Sequence, residues 1–192
     1  SVERLDLGGG LGVPYFNEPD PPSPADYAAM VNRVFDGLDI ALAFEPGRMI
    51  AGNAGVLLAR VVRLQERPGR PILVLDAGMN DLIRPAIYDA YHGILPLKQA
   101  DGGALQDYDV VGPICETGDT FTRARALAPL APGDLVAFMR AGAYGAVMAS
   151  TYNARALVPE VLVRGGRFEV VRRRWEVHDQ LALELLPDWL GD

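Results

Sequence analysis

Val2-Glu3-Arg4-Leu5-Asp6-Leu7-Gly8-Gly9-Gly10-Leu11-Gly12 alternates apolar and polar side chains and then runs into four glycines in five positions. The alternation reads as a strand, and the glycines as the tight backbone loop that ends it. A second short strand, Ile40 to Phe44, runs into Glu45-Pro46-Gly47-Arg48. Between the two lies Asn17 to Pro24, rich in proline and acid and therefore a surface loop, which closes on Ser23-Pro24, an N-cap followed by proline in the first helical turn. The helix predicted after it carries Tyr27, Met30, Val31, Val34, Phe35 and Leu38 at spacings of three and four, one apolar stripe, with Gly37 weakening its last turn. The order is strand, helix, strand, a βαβ unit whose two strands each end in a motif, at the end where α/β folds place ligands.

Working outward, the pattern changes from about Val56. Stretches rich in β-formers occupy Val56–Leu64, Ile72–Leu75, Asp109–Val111, Leu135–Phe138 and Leu157–Val171, separated by Gly, Pro and Asp, with a further strand pattern over Ile94 to Lys98. Val161 to Val171 reads as a hairpin closed by Gly165-Gly166. Short helices are predicted over Arg84–Tyr91, Tyr144–Ser150 and His178–Leu186. The reading is α/β plus β, with βα units over residues 1–53 and a β-dominated domain over 54–192 joined near Asn53.

The 192 residues are 49% hydrophobic and 22% charged, the composition of a globular protein. A net charge of -7 argues against a nucleic-acid or anionic-membrane surface, and the one basic run, Arg172-Arg173-Arg174, reads as a solvated strand edge. No apolar run approaches the roughly 20 residues that span a bilayer and no basic-then-apolar leader opens the chain, so neither membrane insertion nor secretion is expected. Cys115, the only cysteine, forms no intrachain disulfide and fits a reducing compartment, so the cytoplasm is expected. His92 and His178 are the only histidines and neither has a partner at ligand spacing, so no metal is expected.

Five motifs carry the functional reading, and each alone has a plain structural alternative. Gly8 to Gly12 presents backbone N–H groups to a phosphate, or is only a turn. Glu45-Pro46-Gly47-Arg48 sets a carboxylate beside a guanidinium for a ligand, or makes a helix-start salt bridge. Arg84 and Tyr88, four apart on one helical face, suit a carboxylate, or decorate a surface. Cys115-Glu116-Thr117-Gly118-Asp119 places the thiol among acids, which suits a proton donor better than a nucleophile, or it is a small buried apolar residue. Ala141-Gly142-Ala143-Tyr144-Gly145 sets a tyrosine between glycines, for a ligand or for packing.

The order Gly-Gly-Gly-Leu-Gly, Glu-Pro-Gly-Arg, Arg-Pro-x-x-Tyr-x-x-Tyr-His, Cys-Glu-Thr-Gly-Asp, Ala-Gly-Ala-Tyr-Gly resembles the diaminopimelate decarboxylase family, from Leu5 through Tyr152-Asn153-Ala154-Arg155 to the Trp175–Trp189 tail. That resemblance implies the last strands of a (β/α)8 barrel that binds pyridoxal phosphate, followed by a C-terminal β-sandwich or barrel-like domain, in a head-to-tail homodimer. It implies that Gly9, Gly10 and the backbone from Glu45 through Gly47 to Arg48 hold the cofactor phosphate. Tyr144 adds a hydroxyl within reach of cofactor and substrate, and Glu45 pairs with the pyridine nitrogen. Arg48, Arg84 and Tyr88 would grip substrate carboxylate. Glu116, recognising the distal ammonium of meso-diaminopimelate, and Cys115, returning a proton to the carbon that loses carbon dioxide, would reach in from the partner subunit.

Decarboxylases of ornithine, arginine or carboxynorspermidine are the related alternative, and tend to carry Asp where this sequence has Glu116. A non-catalytic dimerisation remnant is the other. The family's Tyr-Ala-x-Lys-Ala-Asn segment, whose lysine bonds the cofactor, and its His-x-Gly-Ser segment are absent, and the only lysine, Lys98, does not match. A full barrel needs eight strands over roughly 250 residues; two are read here, so an N-terminal barrel segment is expected to be missing and the chain alone to be inactive.

Overall fold

Strand β1 (Arg4–Asp6) and strand β2 (Ala41–Ala43) run parallel, Leu5 opposite Leu42, and helix α1 (Pro24–Val34) connects them. The computed structural model describes residues 2–15, 19–98 and 104–190, so the first part of the predicted Asn17–Pro24 loop lies outside the described residues. Helix α1 starts where the cap predicts. Ser23 Oγ accepts the Asp26 N–H at 3.1 Å, the Asp26 carboxylate accepts the Ser23 N–H at 3.1 Å, and Pro24 opens the first turn. Of its apolar stripe only Val31 is buried; Met30, Val34 and Leu38 are exposed, because a two-stranded sheet is too narrow to cover the whole stripe.

The chain leaves this sheet at Ala43. Helix α2 (Gly47–Ala51) and a single 3-10 turn over Gly52–Ala54 then carry it into a sheet of six strands. These are β3 (Leu57–Gln65), β4 (Ile72–Leu75), β5 (Ile94–Pro96), β6 (Gln106–Val111), β7 (Thr120–Leu127) and β8 (Leu135–Phe138), in the order β5-β8-β3-β4-β6-β7. All neighbours are antiparallel except β4 and β6. Edge strands β5 and β7 approach one another, so the sheet curls toward a barrel. Inside lie Val61, Leu73, Leu75, Tyr108, Val110, Val136 and Phe138, with Phe121 tilted on Phe138 at 4.5 Å between centroids. Full burial of each such side chain stabilises by about 1.5–3 kcal/mol.

Strand β7 is absent from the sequence reading. Thr120-Phe121-Thr122-Arg123-Ala124-Arg125-Ala126-Leu127 places only two bulky apolar residues in the core, and its alternation breaks at Ala124, whose φ of 51° is left-handed. That bulge is held from the neighbouring strand, since the buried Asp109 carboxylate accepts the Ala124 N–H at 3.0 Å. The same carboxylate pairs with Arg67 and with Arg70, the latter at 3.1 Å, and so pins the β3–β4 turn.

Three predicted helices are shorter than expected. Helix α3 spans only Arg84–Tyr88, because Asp89 turns left-handed at φ 51° and ends it. The Tyr144–Ser150 segment opens on Tyr144 at φ 60° and keeps a single 3-10 turn, Ala146–Met148. The third is helix α4 (Val177–Leu181), which continues only as turns. The hairpin forms as read, β9 (Glu160–Arg164) against β10 (Arg167–Arg172) with Gly165 at φ 59°, but as a sheet of its own. The arginine run is not simply solvated. Arg172 pairs with Glu160 at 2.8 Å, and Arg173 donates two bonds to Asp179, at 2.7 and 2.6 Å.

Burial alone would raise the Asp109 pKa, but the Ala124 N–H and the two arginines outweigh it and hold the carboxyl below its ordinary 3.8. A carboxylate with a lowered folded pKa contributes stability that is present above the unfolded value and is lost as pH falls through the folded one. Asp109→Asn is therefore expected to cost about 1–3 kcal/mol near neutral pH. In urea unfolding series the gap to the unaltered chain should narrow once the pH drops below 3.8; a constant gap would remove the charge from the account.

Candidate active site

Two backbone segments cross at glycine. The Ala141 N–H donates to Gly55 O at 2.9 Å and the Gly142 N–H to Gly52 O at 3.2 Å. A Cβ on Gly142 would sit 2.0 Å from Ala51 O, and one on Gly55 would sit 2.7 Å from Gly142 Cα, so neither position admits a side chain. This crossing locks the end of β8 onto the α2 segment. It thereby sets Tyr144 beside Arg48.

The result is a cleft of about 360 Å³ lined by Arg48, Arg84, Tyr88, Ala90, Tyr144 and Met148. The Tyr144 ring is approached by two guanidiniums, with Arg48 Cζ 6.0 Å and Arg84 Cζ 5.9 Å from its centroid. Four of the residues expected to bind substrate, Arg48, Arg84, Tyr88 and Tyr144, thus meet in one place. Arg84 is not surface decoration: it is buried, and its Nη1 donates to Tyr15 Oη at 3.3 Å and lies 3.1 Å from His92 Nε2. No Glu45–Arg48 salt bridge exists among the described residues, which leaves both charges available.

Tyr15 and His92 belong to this cluster; His92 closes the motif that Arg84 opens but is given no role by the sequence, and nothing along the chain points to Tyr15. Their rings meet edge to face at 6.5 Å, and Arg140 Cζ lies 5.9 Å from the Tyr15 centroid. His92 Nδ1 lies 2.9 Å from Met139 O. Burial holds the His92 imidazole below its ordinary 6.5, and the Arg84 and Arg140 charges add to that, against the pull of the Met139 carbonyl.

Gly8 to Gly10 lie beside the Glu45 turn, whose N–H donates to Gly8 O at 2.8 Å. Gly8 and Gly10 have φ of 69° and 84°, and a Cβ on Gly9 would meet Glu45 O at 2.6 Å. The exposed N–H groups of Gly9 and Gly10 have no acceptor among the described residues. Two free amides on an open glycine loop, beside an unpaired Glu45 carboxylate, fit a phosphate-bearing group with a protonated ring nitrogen. Gly47 begins α2 and carries Arg48 from this loop into the cleft.

Cys115 and Glu116 do not line the cleft; both are exposed on a separate loop. Asp119 builds that loop. Its buried carboxylate accepts the Met79 N–H and the Ile114 N–H, each at 2.7 Å, and burial raises its pKa in spite of those bonds. Glu116 accepts Tyr152 Oη at 3.4 Å. Arg155 braces the neighbouring turn through Asn80 Oδ1 at 3.0 Å and Asp81 at 3.7 Å. The expected site residues therefore fall into three sets: the four of the cleft, those of the glycine loop and Glu45 turn, and Cys115 with Glu116 on a loop whose Thr117 and Gly118 border Pro85, Ala86 and Ala90 of the α3 segment. Lys98 is exposed just past β5 and lines neither the cleft nor the glycine loop. Among the described residues no cluster of His, Cys, Asp and Glu is gathered for a metal ion.

The chain belongs to a known family. Residues 20–142 match the C-terminal sheet domain of the pyridoxal-dependent decarboxylases, and the chain belongs to that family. It is 48% identical to a diaminopimelate decarboxylase of Zymomonas mobilis over 193 aligned residues, which cover 99% of this chain and 45% of the relative. It is 50% identical to the Pseudomonas aeruginosa diaminopimelate decarboxylase over 97% of this chain and 44% of the relative. Among solved structures, the diaminopimelate decarboxylase of M. jannaschii in complex with L-lysine superimposes with a TM-score of 0.91 at 37% identity, covering 98% of this chain and 44% of that one. The chain thus spans less than half the length of these relatives.

The glycine crossing is open to direct test. Gly142→Ala should lower stability by about 2–3 kcal/mol through forced separation of the two segments. Amide exchange at Ala141 and Gly142 should quicken in that variant. Gly166→Ala, where a Cβ meets nothing within 4 Å, should be neutral. Equal effects of the two would show that the contact carries no weight.

Proposed function

We propose that this chain is the sheet-domain part of a diaminopimelate decarboxylase, acting with a (β/α)8 barrel of which β1, α1 and β2 are the last elements and which joins the sheet domain near Asn53. The observation that carries the reading is the pair of guanidiniums, Arg48 and Arg84, both held near the Tyr144 ring with Tyr88 in one cleft. Two fixed cations with phenolic hydroxyls suit a dicarboxylic amino acid. The similarity to diaminopimelate decarboxylases over nearly the whole chain supports the same substrate.

Pyridoxal phosphate, when bound, draws off the electrons left at the substrate Cα as carbon dioxide departs. Gly9, Gly10 and the Glu45–Arg48 backbone would hold its phosphate, with the Tyr144 hydroxyl in support. Glu45 would keep its ring nitrogen protonated. Arg84 and Tyr88 fix the substrate carboxylate and Arg48 adds its charge, so that meso-diaminopimelate is presented in one orientation. Cys115 returns a proton to Cα and Glu116 takes the distal ammonium.

Because Cys115 and Glu116 lie outside the cleft of their own chain, the reading assigns them to the cleft of a partner subunit in a head-to-tail homodimer. The site is then shared, and the lysine that bonds the cofactor is supplied from outside these 192 residues. An exposed Lys98 is no substitute for it.

The product of the complete reading frame should release lysine and carbon dioxide from meso-diaminopimelate in preference to ornithine; preference for ornithine would refute the substrate. Arg84→Ala should raise KM about ten- to a hundred-fold, the worth of a charge-assisted bond to carboxylate. Cys115→Ala should lower kcat instead. Mixed at equal amounts, allowed to exchange subunits and assayed at substrate well below the raised KM, these two impaired variants should recover about a quarter of full activity, since half of the dimers regain one intact site. No recovery on mixing would mean that one subunit supplies both Cys115 and Arg84 to its own site.

A further inference from the structure

We propose that His92 is a positioning residue for Arg84: from one imidazole tautomer it accepts an Arg84 N–H, and so turns the free edge of the guanidinium toward the cleft. This rests on the reading of Arg84 as the carboxylate-binding group.

The bonding partners leave only one arrangement of protons. A guanidinium nitrogen can only donate, so His92 Nε2, 3.1 Å from Arg84 Nη1, carries a lone pair and accepts. The Met139 carbonyl can only accept, so His92 Nδ1, at 2.9 Å from it, carries the hydrogen and donates. A proton on Nε2 would oppose the Arg84 donor and the positive charges of Arg84 and Arg140. The groups facing the ring agree with a neutral imidazole. Arg84 comes from α3, Arg140 from the segment after β8, and Tyr15 presents its ring edge at 6.5 Å. Arg125 of β7 donates to the His92 carbonyl at 3.1 Å. No carboxylate is bonded to the ring among the described residues.

Arg84 is thereby divided in function. Its Nη1 is committed to His92 and to Tyr15. Its Nε and Nη2 have no protein partner among the described residues, which leaves one side of the planar fork, with two parallel N–H groups, for a carboxylate. Tyr15 alone would leave the side chain free to rotate about that bond. His92, fixed at both nitrogens, holds the plane.

Two experiments test this independently. Long-range proton–nitrogen NMR of this chain gives one signal set for each of its two histidines, and His178→Gln identifies the other. The His92 set should show bare Nε2 and protonated Nδ1, unchanged as the pH falls through 6.5. Hydrogen on Nε2, or protonation at or above 6.5, would overturn the proposal.

The second experiment uses the product of the complete reading frame and meso-diaminopimelate. Gln at position 92 puts an amide oxygen where Nε2 stands, whereas Asn reaches only the Nδ1 position. His92→Gln should keep KM within about three-fold of the unaltered protein, and His92→Asn should raise it about ten-fold with a smaller change in kcat. Equal effects, or the reverse order, would reduce His92 to a packing residue. If the unaltered protein decarboxylates nothing, the proposed function falls while the NMR result still decides the bond to Arg84.

Discussion

Backbone meets backbone between Gly52–Gly55 and Ala141–Gly142, with no room for even a methyl group. Much of the functional geometry depends on this contact. On one side of it stands a parallel pair of strands whose C-terminal ends carry the glycine loop and the Glu45–Arg48 turn; on the other stands the curled six-stranded sheet that carries Tyr144. Side chains at the crossing would act as spacers, and a spacer of one carbon would move Arg48 away from the tyrosine ring it faces. Close packing transmits such a shift because interiors have little free volume to absorb it.

Buried carboxylates shape the sheet domain in a consistent way. Asp109 stabilises the left-handed residue of β7 and ties down the β3–β4 turn; Asp119 gathers the N–H groups of Met79 and Ile114 and forms the Cys115 loop; Asp81 accepts from Gly78 N–H at 2.9 Å and from Asn80. Each accepts main-chain N–H groups, and for Gly78 and Ile114, which are buried, a missing partner would cost about as much as a lost hydrogen bond. The arginines divide the remaining work. Arg67, Arg70 and Arg155 neutralise these acids, whereas Arg48 and Arg84 face tyrosine and histidine instead of a carboxylate and so keep their charge for a ligand. That difference in partner separates the two sets of arginines more sharply than exposure does, since buried Arg84 lines the cleft.

Much of the architecture is legible along the chain. The N-cap at Ser23, the period of α1, the alternation in β3 and β4 and the Gly165-Gly166 turn are local signals, produced by residues within one or two turns of each other. Strand β7 and the helix ends at Asp89 and Tyr144 were not legible for the converse reason. A bulge held by a carboxylate from the adjacent strand and left-handed residues fixed by tertiary contacts leave little trace in local propensity. The apolar stripe of α1 shows the limit from the other direction, because periodicity identifies the face but not whether anything covers it.

The sequence by itself determined the family, since five short motifs in one order survive as text, and with it the residue types proposed for the site: a run of glycines, paired arginine and tyrosine, a thiol among acids. Tertiary structure alone decided how those residues are partitioned. It brought Arg48, Arg84, Tyr88 and Tyr144 into one cleft, left Cys115 and Glu116 outside it, and set Tyr15 and His92 against the Arg84 guanidinium. The physical reason is that hydrogen-bond direction and ring contact depend on distances of a few ångströms between segments tens of residues apart. No spacing along the chain encodes such distances until the glycine crossing has closed.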